Sequence, residues 1–182
     1  MTKADTGALS CADIEACFAR CFYRTHNVVL SGGFDEPYYQ PARHGVPAEL
    51  RYRSDYAASA LHETAHWCIA GPRRRRLPDF GYHYVAAPRS REAQRQFLRS
   101  ELRPQALERC FAAAAGVVFS LSYDDIEDAF VDLRAPFAKQ VELELDQLRD
   151  EFRRGLVHRA QRFMIALAHQ RKLRWGTLRW AG

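Results

Sequence analysis

The sequence predicts a single α/β domain of the α+β kind, in which a small mixed sheet is packed by helices and a central helix carries a metal-binding motif. Three observations predict it. Short β-like runs alternate with helical stretches along the chain. One of those stretches, residues 56–70, has neither Gly nor Pro and contains His62-Glu63-Thr64-Ala65-His66. The length of 182 residues, with 47% hydrophobic and 27% charged side chains, suits one globular domain with a sizeable core.

Ser10-Cys11-Ala12-Asp13 has the form of a capping box and opens a helix to about Phe22. Asn27 to Leu30 predicts a strand, ended by Gly32-Gly33. Residues 34–48 hold three prolines and predict an irregular loop, and Ala48 to Arg53 a short strand. In the helix over 56–70, Ser54 and Asp55 supply capping side chains. Gly71 sits where a left-handed C-terminal residue is wanted, and Pro72 blocks continuation. Ala58, Leu61, Ala65 and Ile69 form its apolar stripe.

Further on, Phe80 to Val85 alternates aromatic with small or polar residues and predicts a strand. Arg91 to Ala115 is helical in composition, with a kink or fresh start at Pro104 and a stop at Gly116. Val117 to Leu121 is a short apolar run. Ser122-Tyr123-Asp124-Asp125 caps a helical region reaching about Phe152. A last helix over about Val157 to Arg171 places Ala160, Phe163, Met164, Leu167 and Ala168 at core spacing. One domain is expected over 1–182, with Leu173 to Gly182 a tail that docks through Trp175 and Trp180 or frays.

Composition narrows the functions. No apolar run reaches the ~18 residues of a membrane span, and residues 1–10 lack the pattern of a secretory signal, so a cytoplasmic protein is expected. Five cysteines, at 11, 17, 21, 68 and 110, include no Cys-x-x-Cys pair and predict reduced, packed thiols. The net charge of +5 rests on 24 Arg and three Lys, with Arg73, Arg74, Arg75 and Arg76 in one run after the central helix. Such a surface suits an acidic partner.

The chemistry resides in the histidine pair. A four-residue step on an α-helix, at ~1.5 Å and ~100° per residue, puts both imidazoles on one face ~6 Å apart along the axis. Two ring nitrogens can then converge on one cation at roughly 2.1 Å. Asp79, His83, Glu101 and Glu108 are the candidates for a third ligand. On a single helix through Pro104, Glu101, Gln105 and Glu108 share a face. A carboxylate would suit non-haem iron and oxygen chemistry, whereas a third histidine would favour zinc and hydrolysis.

Four blocks carry a resemblance: Ala60-Leu61-His62-Glu63-Thr64-Ala65-His66-Trp67-Cys68-Ile69-Ala70-Gly71, Asp79-Phe80-Gly81-Tyr82-His83-Tyr84, Glu101-Leu102-Arg103-Pro104-Gln105-Ala106-Leu107-Glu108 and Asp35-Glu36-Pro37-Tyr38-Tyr39-Gln40-Pro41-Ala42. In order and approximate spacing they resemble the bacterial elongation factor P hydroxylase family, from about residue 10 to 125. The resemblance implies an iron(II) oxygenase with molecular oxygen as co-substrate, acting on the β-lysylated lysine of elongation factor P. It implies His62, His66 and Glu101 as ligands and a fold similar to a small metal-dependent endoribonuclease, with the metal beside a central helix. The Arg73–Arg76 run is denser in arginine than the family pattern, and His83 replaces an aromatic residue. Glu63 is expected to hold a metal-bound water or orient a ligand, Asp79 and His83 to stand as alternative ligands or outer neighbours, and Tyr82 and Tyr84 to line the pocket. A monomer without membrane or nucleic-acid partner is expected. The rival is a zinc-dependent hydrolase, peptidase or endoribonuclease, with Glu63 as general base; a binding module with a structural metal is the third reading.

Overall fold

The computed structural model describes residues 7–54, 56–81, 89–124 and 129–173. The chain runs α1 (Cys11–His26), β1 (Val28–Phe34), β2 (Tyr38–Gln40), β3 (Ala48–Arg53) and α2 (Ala57–Ile69). Two 3-10 turns, Arg74–Arg76 and Pro78–Gly81, lead on to α3 (Arg91–Ala115), α4 (Val131–Arg153) and α5 (His158–Gln170). The described residues thus form a three-stranded mixed sheet and five α-helices, an α+β arrangement.

Strand order is β1-β3-β2. β1 runs parallel to β3, with Val28 opposite Ala48 and Leu30 opposite Leu50, and β2 runs antiparallel to β3. Alternate residues Ala48, Leu50 and Tyr52 point into the core beneath α2, as the two-residue period of a strand requires. Helices α1, α3 and α5 enclose the opposite side of α2. Phe18, Phe22, Trp67, Phe111 and Phe163 meet there edge to face or tilted, centroids 4.6–6.2 Å apart. Burying such rings supplies the apolar area that fixes α2. Ion pairs tie α4 to α3, from Arg103 to Glu144 at 2.7 Å and to Glu151 at 2.5 Å.

Several elements match their sequence patterns. Ser10 and Asp13 close the capping box, α3 stops at Gly116 with φ +71°, and the α5 core residues are all buried. Others differ. The fresh start expected at Pro104 does not occur, because α3 runs through it as one helix from Arg91 to Ala115. β1 continues through Gly32 and Gly33 to Phe34 with a bulge instead of stopping. Gly32 is required there because an added Cβ would lie 2.5 Å from the Tyr52 hydroxyl, itself bonded to Glu15 at 2.7 Å. The 34–48 segment is not wholly irregular, since Tyr38–Gln40 forms an edge strand on β3.

α2 also begins and ends differently. Its N-cap is Tyr56, without a side-chain cap; Ser54, at φ 46°, donates its N–H to Phe34, and Asp55 lies outside the described residues. Gly71 is not left-handed. Leu61 and Ala65 are buried as predicted, with Ala60, Thr64 and Trp67, whereas Ala58 and Ile69 are only half-buried. Phe80 and Gly81 belong to a 3-10 turn and not to a strand, and the rest of that predicted strand lies outside the described residues. α4 starts at Val131 with no side-chain cap, and Asp125 is likewise outside. So is the tail with Trp175 and Trp180. All five cysteines are free thiols, and burial pushes Cys110 up to about 12.

Candidate metal centre

Helix α2 presents His62 and His66 one turn apart toward α3, which supplies Glu101 and Glu108 two turns apart. Nε2 of His62 and Nε2 of His66 are 3.1 Å apart. The Glu101 carboxylate places Oε2 3.4 Å from His62 Nε2 and Oε1 3.2 Å from His66 Nε2. Each carboxylate oxygen thus faces one imidazole nitrogen, and the three side chains together could hold one metal ion. Among the described residues, this is the one group of three such side chains whose ligand atoms gather within 4.8 Å. The donor set, two imidazoles and a carboxylate, fits a divalent transition metal with open positions.

A further carboxylate fixes the first ring. Glu108 Oε2 lies 2.8 Å from His62 Nδ1. With the Nδ1–H donating to it, the His62 Nε2 lone pair is free to face the ion. Glu101 and Glu108 are both buried, their side chains 8% and 9% exposed. Burying two carboxylates is costly unless cations face them. The His62 imidazolium takes that part. Burial disfavours charge on His62, yet Glu101 and Glu108 outweigh it and lift its pKa to about 10. Burial likewise pushes Glu101 up, but His66 and His62 prevail and hold it at about 2. Gln105, on the same face of α3, brackets the Ser122 backbone through bonds of 2.7 and 3.0 Å and anchors the helix beside the ligands.

The other predicted residues are distributed unevenly. Glu63 is half-buried; burial raises its pKa, the imidazoles lower it, and Glu101 and Asp79 raise it again. Asp79 is not part of the converging group. Held at φ 46° in the turn, its carboxylate accepts the Tyr39 N–H at 2.8 Å and ties that turn to β2. Tyr82, His83 and Tyr84 lie outside the described residues.

The arginine run splits. Arg73 and Arg74 line a cleft of about 570 Å³ together with His66, Ser100, Arg103 and Pro104. Arg76 is exposed. Arg75 turns the other way, donating to Ala70 O at 2.6 Å and lying over Trp67. Sequence reasoning named Glu108 as a ligand candidate and missed its place behind His62. The signal was present in its seven-residue distance from Glu101, which returns to the same helix face. No signal near the motif pointed to Arg159, which reaches the end of α2 from α5.

Comparison with known proteins agrees with this geometry. The sequence matches the EpmC family of elongation factor P hydroxylases over residues 17–175. The chain belongs to that family. A protein of Haemophilus influenzae named elongation factor P lysine hydroxylase is 42% identical over 156 residues, covering 85% of each chain. The match to this hydroxylase family spans both ligand-bearing helices and extends into α5, well past residue 125, where the motif resemblance ends. No helix among the described residues is long and apolar enough to cross a membrane.

Proposed function

We propose that this protein is a non-haem iron monooxygenase that hydroxylates the β-lysylated lysine side chain of elongation factor P in the cytoplasm. The observation that carries the reading is the meeting of His62, His66 and Glu101 in a member of a hydroxylase family. Iron(II) held by these side chains supplies the activation of dioxygen needed to oxidise an aliphatic carbon.

The chain's own residues do the rest. His62 and His66 bind through Nε2, and Glu101 contributes the negative charge that favours a dication. Glu108 keeps the proton on His62 Nδ1 and holds the ring plane. Glu63, beside His62 and raised in pKa by burial, holds a water or the lysine ammonium near the centre. The cleft on the His66 side, walled by Ile69, Pro72 and Pro104, limits water around the reacting carbon.

The reaction tests the reading directly. Protein purified anaerobically, loaded with iron(II) and then given dioxygen with a two-electron chemical reductant should add one oxygen atom to β-lysylated elongation factor P, seen by intact mass, the other oxygen leaving as water. His62→Ala and Glu101→Ala should abolish the gain. Zinc-dependent cleavage of a peptide or RNA without oxygen incorporation would replace this reading with the hydrolase.

A further inference from the structure

Opposite the metal face, the C-terminal end of α2 gathers positive charge. The Arg75 guanidinium lies 5.6 Å from the Trp67 ring centroid and that of Arg159 5.3 Å. Both donate to one oxygen, Ala70 O, at 2.6 and 2.7 Å, and Arg159 also to Cys68 O at 2.8 Å. The His26 ring stands 5.2 Å from the same indole, and Arg162 projects from α5 close enough to act on His26. Two guanidiniums sharing one acceptor repel each other. The end of a helix offers only about half a negative charge.

No carboxylate makes up the difference. The side-chain donors of Arg75 and Arg159 go to main-chain carbonyls and the indole face, and no salt bridge of Arg75, Arg159 or Arg162 occurs among the described residues. Burial pulls both guanidiniums below their ordinary pKa, and Arg75 pulls Arg159 down further. Elsewhere the chain does pair buried and half-buried arginines with acids, as at Arg89–Asp124 and Arg103–Glu151. Guanidinium carries five donors in a fork, and one or two are used here. The remainder fit a two-oxygen anion.

We infer that Arg75 and Arg159, stacked on Trp67, together with Arg162 beside His26, form an oxyanion-binding site separate from the metal centre, taking a carboxylate or phosphate group. Ala70, whose carbonyl both arginines share, also walls the cleft that reaches His66. A protein partner seated in that cleft would have the cationic end of α2 at the cleft's edge, on the other side of Ala70, within reach of one of its acidic side chains. On the proposed function, that partner is the protein substrate; a free phosphate is the other source of the same chemistry.

The test uses the full chain and separates these sources. Thermal unfolding is followed with added inorganic phosphate at constant ionic strength set by chloride, and elongation factor P binding is titrated in parallel. Arg162→Gln removes an exposed member of the site, Arg53→Gln removes the same charge from β3, and Arg159→Gln, checked by circular dichroism, removes an inner member. Phosphate should stabilise the parent and Arg53→Gln and lose its effect in Arg162→Gln and Arg159→Gln. Elongation factor P binding weakened at least about threefold by Arg162→Gln, but not by Arg53→Gln, assigns the site to an acidic group of the partner. A lost phosphate effect with unchanged partner binding assigns it to a free anion. Absence of any phosphate effect, with Arg162→Gln and Arg53→Gln indistinguishable in partner binding, overturns the inference. The phosphate measurement needs neither iron nor turnover, so it stands or falls apart from the hydroxylase reading.

Discussion

Within the nine residues from His62 to Ala70 the protein handles charge in two opposite ways. At His62 and His66 buried acids converge on imidazoles at 2.8 to 3.4 Å, and the His62 imidazolium faces both carboxylates. At Trp67 to Ala70 arginines converge on carbonyls and an indole, and like charges face one another. The first arrangement is neutralised by protons now and by a dication when one binds. The second is only partly offset by the helix end. Burial of charge here follows what will occupy the site, not only what the chain itself contains.

The sharpest way to break the first half of this comparison is Glu101→Ala. It removes the one carboxylate that touches both ring nitrogens, and iron(II) or cobalt(II) affinity should drop by more than about a hundredfold. Full metal content after the substitution would show that the ligand set is misassigned. Glu108→Ala leaves the ligands in place and frees the His62 ring. Metal affinity or turnover should fall about 10–100-fold, and titration of both variants side by side tests that ranking.

Proton competition sharpens the same half. The metal-free pair keeps His62 protonated up to about pH 10 and Glu101 ionised down to about pH 2. Binding a metal must therefore expel the His62 proton across the neutral range. Affinity should rise with pH, by about tenfold per unit between pH 6 and 8, with about one proton released in calorimetry in buffers of different ionisation enthalpy. A flat profile would mean that His62 is already neutral. At the arginine end the expected effect is smaller. Arg159→Met takes the guanidinium donor from Cys68 O and leaves Ala70 O to Arg75 alone, and should cost about 1–2 kcal/mol in urea denaturation, partly offset by relief of repulsion with Arg75.

How far the residues announced this varies with the kind of signal. The capping box at Ser10, the spacing of Phe163, Met164 and Leu167, and the His62–His66 step are local, and local patterns survive folding unchanged. Glu101 could be placed on a shared face with Glu108, but only packing of α3 on α2 selects it over Asp79. The edge strand at Tyr38 was hidden because three residues next to prolines carry little periodicity, and its pairing with β3 is tertiary. Gly71 looked like a helix stop by type. The α2 end is instead satisfied by guanidiniums from the Arg74–Arg76 turn and from α5, about ninety positions away, which no spacing rule could reveal.

The side chains that could hold an ion are divided between two helices that are far apart in the chain. A ribosome has extruded more than half of the polypeptide before position 101 exists, so nothing can be clasped while the sheet and α2 are being made. On the proposed function, iron would thus be acquired only after α3 has been made. Stripping it with a chelator should silence the enzyme while leaving its far-ultraviolet circular dichroism intact, and resupply should restore turnover without refolding.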